Sequence, residues 1–315
     1  MEVILALIIL ILSILLDIFY GEPKGRLLRL HPVVLCASIS RLIVKPNSSR
    51  IHGLLTFTIP VSIVLAIYFS IQYLALQLLG ILGYVIVSVL ILKTTFSINL
   101  LYSIVVNAYK SMESGNWNNA RHYVQQIVRR NVYVLDEEHT VSAAIESLFE
   151  SLVDGYISPL FYYPFLGVKG SLLQRAVNTM DSLVAYKTPE YMGEGYVSAK
   201  ADTILNYVPA RLTAILIIIS SAILKLNWRR GLKILLRDHS KTESLNAGWP
   251  ISAIAGVLNV KLEKINAYSI GDPEERLTPK KIMEAIKIYK LSTILATLLI
   301  LTLTIIVRKT LPWIL

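Results

Sequence analysis

Two apolar runs, 54–79 and 81–106, stand almost back to back with Gly80 between them and Gly83 just after. A helix crossing a bilayer needs about 20 apolar residues, and each run supplies more than that. Such a pair folds in lipid as a helical hairpin, because only helices and closed barrels satisfy every backbone N–H and C=O away from water. Further runs at 3–20, 208–226 and 291–307 raise the expected spans to five, joined by polar loops 21–52, 110–207 and 227–290. The first run follows Glu2 rather than a basic segment, which predicts an uncleaved anchor instead of a secretory signal. A 54% hydrophobic and 17% charged chain departs from soluble domains, at about 45–50% and about 25%. The expected fold is all-α: a polytopic helical membrane protein with large polar helical loops, forming one integral membrane domain over 1–315.

The 31 Lys and Arg against 21 Asp and Glu leave a net charge of +10. These cations crowd beside the apolar runs, as cytoplasmic membrane flanks do, and no base-stacking or groove-reading motif accompanies them. The expected partner is the lipid bilayer, not nucleic acid. Lys24, Arg26, Arg29, Arg41, Lys45 and Arg50 against Glu22 place the first loop in the cytoplasm of a multi-pass cell-membrane protein. Loop 227–290 is basic as well, although simple parity would put it outside. Either 156–173 or 247–258 crosses or re-enters as a Gly- and Pro-broken segment, or the run at Leu212 is buried without crossing. Cys36 is the only cysteine, so an intrachain disulfide and a cysteine-rich metal site are excluded.

Polar residues gather in islands beside the spans, and polar groups near a membrane need a reason to be there. In 139–155, Val141, Ile145, Leu148 and Leu152 repeat at the spacing of one helical face. Glu146, Glu150 and Asp154 form a second column, where each charge raises its neighbour's pKa unless a cation or basic partner intervenes. Magnesium carried on a nucleotide is one such cation; a solvated acidic face beside a basic surface is the bland alternative. A second island runs from Asn178 through Asp181 to Tyr186 and Lys187. A third holds Asp202, Asn206, Pro209 and Arg211, with Asp202 and Asn206 on one face if the segment is a single helix. Its helix amino end and Arg211 suit a phosphate, or Arg211 snorkels at the interface. The fourth joins His239 to Asn246-Ala247-Gly248-Trp249-Pro250, a turn in which Gly248 can take a positive φ. His31-Pro32, behind Asp17 and Gly21-Glu22-Pro23, fits a helix exit.

Together these pieces resemble the integral membrane adenosylcobinamide-phosphate synthases of cobalamin biosynthesis. The resemblance rests on Leu16-Asp17, Gly21-Glu22-Pro23 and His31-Pro32; on Ile145-Glu146-Ser147 and the stretch from Val153-Asp154-Gly155 to Phe161; and on Asn178-Thr179-Met180-Asp181-Ser182 with Tyr186-Lys187. It continues through Asn206-Tyr207-Val208-Pro209-Ala210-Arg211-Leu212-Thr213-Ala214 and His239 to Asn246-Ala247-Gly248-Trp249-Pro250 and Ala255-Gly256. The motifs occur in family order from the first span nearly to the last. Asn131, Ser151, Thr203 and Ile251 depart from the family pattern, each where a carboxylate or amide is usual.

The resemblance implies ATP-dependent amide formation between adenosylcobyric acid and (R)-1-amino-2-propanol or its O-phosphate. Magnesium and ATP are the implied cofactors, and cobalt enters only inside the corrinoid substrate. Glu146, Glu150, Asp154, Asp181 and Asp202 are the implied catalytic carboxylates; among them Glu150, Asp154, Asp181 and Asp202 would hold magnesium. Arg211 and Lys187 would take phosphate, and His31, Asn178, Tyr186, Asn206, His239 and Asn246 would orient substrates. Other late cobalamin-assembly enzymes are expected partners. Two other readings stand beside this one: a non-catalytic member that binds a corrinoid or a partner enzyme, and a membrane transporter.

Overall fold

The computed structural model describes residues 2–23, 25–185 and 188–311. It is an all-helical membrane protein with one short hairpin. In chain order the elements are α1 (Glu2–Tyr20), α2 (Pro32–Ser40), α3 (Arg50–Lys93), α4 (Asn99–Glu113), α5 (Trp117–Gln125) and α6 (Glu137–Leu152). A π-helical turn, Val153–Ile157, leads into α7 (Ser158–Val184), α8 (Tyr196–Leu205), α9 (Tyr207–Ile223), α10 (Trp228–Asp238) and α11 (Gly248–Val257). Strands β1 (Leu262–Lys264) and β2 (Tyr268–Ile270) pair antiparallel, with Glu263 opposite Ser269, before α12 (Pro279–Thr310).

The chain forms two compact units, one of residues 1–97, 158–205 and 299–315, the other of 98–157 and 206–298. In the first unit α1 buries Ala6, Ile9, Leu10, Ser13 and Asp17, one stripe at helical spacing, and exposes Ile4, Ile8, Ile11 and Leu15 elsewhere. That distribution suits a helix that touches protein on one side and lipid on the others. The hairpin expected at Gly80 is present: Gly80 sits at φ 64°, ψ −156°, a conformation that only glycine adopts readily. Gln72 Nε2 donates to Ser88 Oγ over 2.7 Å. Residues so far apart on a straight helix would be about 24 Å from each other, so the chain doubles back at Gly80.

Among the described residues three helices are long and apolar enough to cross a membrane, Glu2–Tyr20, Arg50–Lys93 and Pro279–Thr310; the bent pair Tyr196–Leu205 and Tyr207–Ile223 raises the number to four. Two expectations therefore change. Run 81–106 is divided between α3, which ends at Lys93, and α4, which begins at Asn99; just past the end of α3, Thr94 and Thr95 turn their hydroxyls onto the Ile91 and Leu92 carbonyls. The arm 81–93 rises only about 20 Å. Run 208–226 passes the length test only together with α8. Of the two broken segments, 156–173 lies largely in α7, interrupted at Gly167 (φ 66°), and 247–258 contains α11, a short buried helix.

The second unit is packed around α6. Val141, Ile145, Leu148 and Leu152, the expected apolar face, are fully buried. Asp136 caps the helix by accepting from the His139 N–H over 2.8 Å.

Candidate functional site

The column of carboxylates on α6 acquires partners from outside the helix. Glu146 accepts from Arg130 Nη2 at 3.1 Å, Ser142 Oγ at 2.5 Å and Tyr268 Oη at 2.6 Å. The intervening basic partner is thus Arg130, and the β-hairpin supplies Tyr268. Glu150 stands one turn further on. Burial and the charge of Glu146 push its carboxyl up to about 7, against the pull of Lys264, Arg130 and Arg129. The same surroundings push the Tyr268 phenol up, burial first and the two glutamates next. Asp154 does not continue the four-residue column, since it lies in the π-helical turn that follows α6.

Four side chains of the same unit stack at the start of α9. The Arg211 guanidinium carbon lies 3.4 Å from the Tyr207 ring centre and 4.5 Å from that of Trp249. The His239 ring stacks on Trp249 at 4.6 Å. Arg211 Nη1 donates to the Tyr207 carbonyl at 2.6 Å and to Asn246 Oδ1 at 3.3 Å. Both bonds use Nη1, so the Nε–Nη2 edge has no protein partner among the described residues. A flat guanidinium with that edge presented is suited to bidentate oxyanion binding. His239 Nδ1 lies 3.0 Å from the Leu235 carbonyl. A carbonyl only accepts, so Nδ1 carries hydrogen and Nε2 is the lone-pair nitrogen of the neutral ring.

Gly248 departs from the expected conformation. It does not adopt positive φ but opens α11, and a Cβ there would overlap the His239 carbonyl. Its role is close approach, which brings the Asn246–Trp249 turn onto the end of α10. Asn206 is the N-cap residue of α9 without a side-chain capping bond, and α8 ends at Leu205, so Asp202 and Asn206 do not share one uninterrupted helix.

In the first unit Asn178 Nδ2, on α7, donates to Asp202 Oδ1, on α8, at 3.1 Å. Asp181 lies on α7 one turn beyond Asn178, partly exposed like Asp202. Tyr186 and Lys187 lie outside the described residues. His31 caps α2, where Nδ1 accepts from the Val33 N–H at 3.3 Å, and its Nε2 lies 3.6 Å from Glu22. Glu22 in turn meets Lys93 at 2.9 Å, and Lys93 meets Asp17 at 3.0 Å. Burial, which raises a carboxyl, is outweighed there by hydrogen bonds from His31, Lys93 and Ser97, and Glu22 is held at about 2. Both ring nitrogens of His31 are therefore engaged by protein.

Sequence reasoning did not identify Arg130, Ser142 and Tyr268 as partners of Glu146, or the buried Glu194. Glu194 accepts from Ser48 Oγ, from Thr56 Oγ1 at 2.6 Å and from the Lys45 N–H at 3.2 Å, and pairs with His52 Nδ1 at 2.8 Å. Only Ser142, one turn before Glu146, carried a local signal. Among the described residues no group of three or more His, Cys, Asp and Glu side chains could hold a metal ion by itself. A magnesium ion arriving on a nucleotide needs only one or two protein carboxylates.

A model of the family described as CobD/Cbib protein matches residues 10–297. The probable cobalamin biosynthesis protein CobD of Thermoplasma acidophilum is 41% identical over 270 residues, covering 84% of this chain and 86% of that protein. Its namesake from Methanothermobacter thermautotrophicus is 36% identical over 293 residues, with 92% and 95% covered. The cobalamin biosynthesis protein CobD of Leptospira interrogans serovar copenhageni is 36% identical over 298 residues, with 90% and 93% covered. No solved structure matches the chain.

Proposed function

This chain belongs to the CobD/Cbib protein family of cobalamin biosynthesis, and on that premise we propose that it is an ATP-dependent amide ligase. Its substrates are adenosylcobyric acid and (R)-1-amino-2-propanol or its O-phosphate, and its product is adenosylcobinamide or adenosylcobinamide phosphate. Catalysis takes place at the cytoplasmic face of the cell membrane, beside other late cobalamin-assembly enzymes. The observation that carries the reading is the Tyr207–Arg211–Trp249–His239 stack, which presents a fixed guanidinium edge next to Asn246.

The chemistry explains the demand for that edge. A carboxylate accepts an amine only after its oxygen becomes a leaving group, and phosphoryl transfer from ATP provides this. Arg211 holds phosphate oxygens in two parallel hydrogen bonds, while the Tyr207 and Trp249 rings packed against it keep the fork from turning. The amine arrives as an ammonium and must lose a proton before it attacks. Glu150, whose carboxyl titrates near neutrality, takes that proton. Glu146 is tied to Arg130, Ser142 and Tyr268 and maintains the field that keeps Glu150 basic. Within the first unit, the Asn178–Asp202 pair is suited to orienting a polar substrate group. Asp154 in the second unit, or Asp181 and Asp202 in the first, would hold magnesium, which would supply positive charge against the triphosphate.

The test is an assay of detergent-purified protein with adenosylcobyric acid, magnesium-ATP and the two amino alcohols, read by mass spectrometry. Product carrying one added aminopropanol or its phosphate supports the reading. A second reading, corrinoid binding without ligation, draws on Thr203, whose hydroxyl is turned onto the Ala199 carbonyl, and on the fully buried Ile251. Binding of adenosylcobyric acid with no ATP consumed would select it.

A further inference from the structure

Helix α10 divides its surface into three arcs. Gly231, Ile234, Leu235 and Asp238 are buried. Trp228, Leu232 and Leu236 follow one another at four-residue spacing and are exposed, Leu236 at 66%. Arg229, Lys233 and Arg237 occupy the next arc, and all three are exposed. At about 100° per residue the apolar column covers roughly 80°, between the protein-facing arc and the basic arc. A helix exposed to water alone has no use for a tryptophan and two leucines in one column.

The orientation of these arcs is fixed. A Cβ at Gly231 would strike Ile218 of α9 and Val257 of α11, so α10 lies hard against both through its buried face. The turn from α9 is tight: Lys225 takes φ 56°, the Leu226 N–H donates to the Ser221 carbonyl, and Asn227 caps α10. On α9, Ile215, Ile219 and Ile223 form an exposed column of their own. Both α9 and α10 thus present an exposed apolar column. The cations differ in their ties. Arg237 is bound to Asp238 and Asp272, and Arg230 to Asp272 and Glu274. Arg229 lies over the Trp228 ring at 5.4 Å, and neither it nor Lys233 has an acidic partner among the described residues.

We propose that α10 lies in the plane of the bilayer surface, with Trp228, Leu232 and Leu236 immersed at the boundary of headgroups and acyl chains and Arg229 and Lys233 on lipid phosphates. An amphipathic helix with Trp and Leu on one face and cations beside them binds membranes in this way, and anionic headgroups complement the basic arc. The helix then anchors His239, its next residue, at a constant depth below the lipid surface.

The experiment places single nitroxide labels on the full-length protein through Leu232→Cys, Leu236→Cys, Arg229→Cys and Lys233→Cys, leaving the buried Cys36 in place. The variants are reconstituted in vesicles of phosphatidylcholine and phosphatidylglycerol, and collision of each label with oxygen and with a neutral nickel chelate is measured. Labels at 232 and 236 are expected to meet oxygen several-fold more than the chelate, with the ratio reversed at 229 and 233. Chelate access at 232 and 236 equal to that at 229 would show a helix in water and overturn the proposal. Labels at 232 and 236 shielded from both reagents would also overturn it, by showing that a second copy or another protein covers the column.

Discussion

Tyr268 donates its phenolic hydrogen to Glu146 over 2.6 Å, joining a β-hairpin to a helix more than a hundred residues earlier. With Ser142 and Arg130 this bond satisfies a carboxylate in the packed heart of the second unit, and the arrangement leaves Glu150 to bear the electrostatic cost.

Removing one partner of Glu146 leaves a buried charge undersatisfied. Tyr268→Phe is expected to cost about 1–3 kcal/mol and Arg130→Met about 3–5 kcal/mol, measured as loss of thermal stability in detergent. Equal and negligible effects would show that Glu146 is solvated.

Glu150 has a definite pH signature. Its folded-state carboxyl is raised from 4.5 to about 7, so between those values the folded protein binds more protons than the unfolded one, and stability falls as pH rises through that window. Glu150→Gln should flatten this part of the stability profile and gain about 1–3 kcal/mol above neutrality, while the proposed ligase activity is lost. Carboxyl titration followed by infrared difference spectroscopy checks the assignment.

Arg211 tests the stack. Arg211→Lys retains the charge but loses the planar fork, and should raise KM for the phosphate-bearing substrate about 10- to 100-fold, equivalent to about 1.4–2.7 kcal/mol. Trp249→Leu should produce a smaller change in the same direction. Steady-state kinetics on both variants measures it, and an unchanged KM would remove Arg211 from substrate binding.

Lys93 joins Asp17 and Glu22 in the first unit. Lys93→Met strands two carboxylates and should destabilise by about 3–5 kcal/mol. In the parent protein Glu22 is held at about 2 from an ordinary 4.5. Its contribution is complete above 4.5 and is lost as pH falls towards 2; denaturation followed at a series of acid pH values should show that loss, and Glu22→Gln should abolish it.

Much of the architecture is legible along the chain, because lipid imposes a length and an apolar composition that local sequence must meet. The α6 face follows from the spacing of Val141, Ile145, Leu148 and Leu152, and the hairpin from Gly80. Asn131 illustrates a different limit. Its side chain accepts from the Tyr133 N–H at 3.0 Å, a purely local turn contact, so its departure from the family pattern is visible in sequence while its structural use is not.

The number of helices able to cross the bilayer, and the partners of each carboxylate, were decided in three dimensions. A run of apolar letters says how far a helix may extend, but α3 ends at Lys93, inside a run that composition would continue. Hydropathy and motif spacing determined an all-helical membrane chain of the CobD/Cbib family, since both are properties of neighbours in sequence. Only tertiary packing set Tyr268 against Glu146 and Trp249 against Arg211, because hydrogen bonds and stacked rings act over a few ångströms of space, whatever length of chain separates the partners.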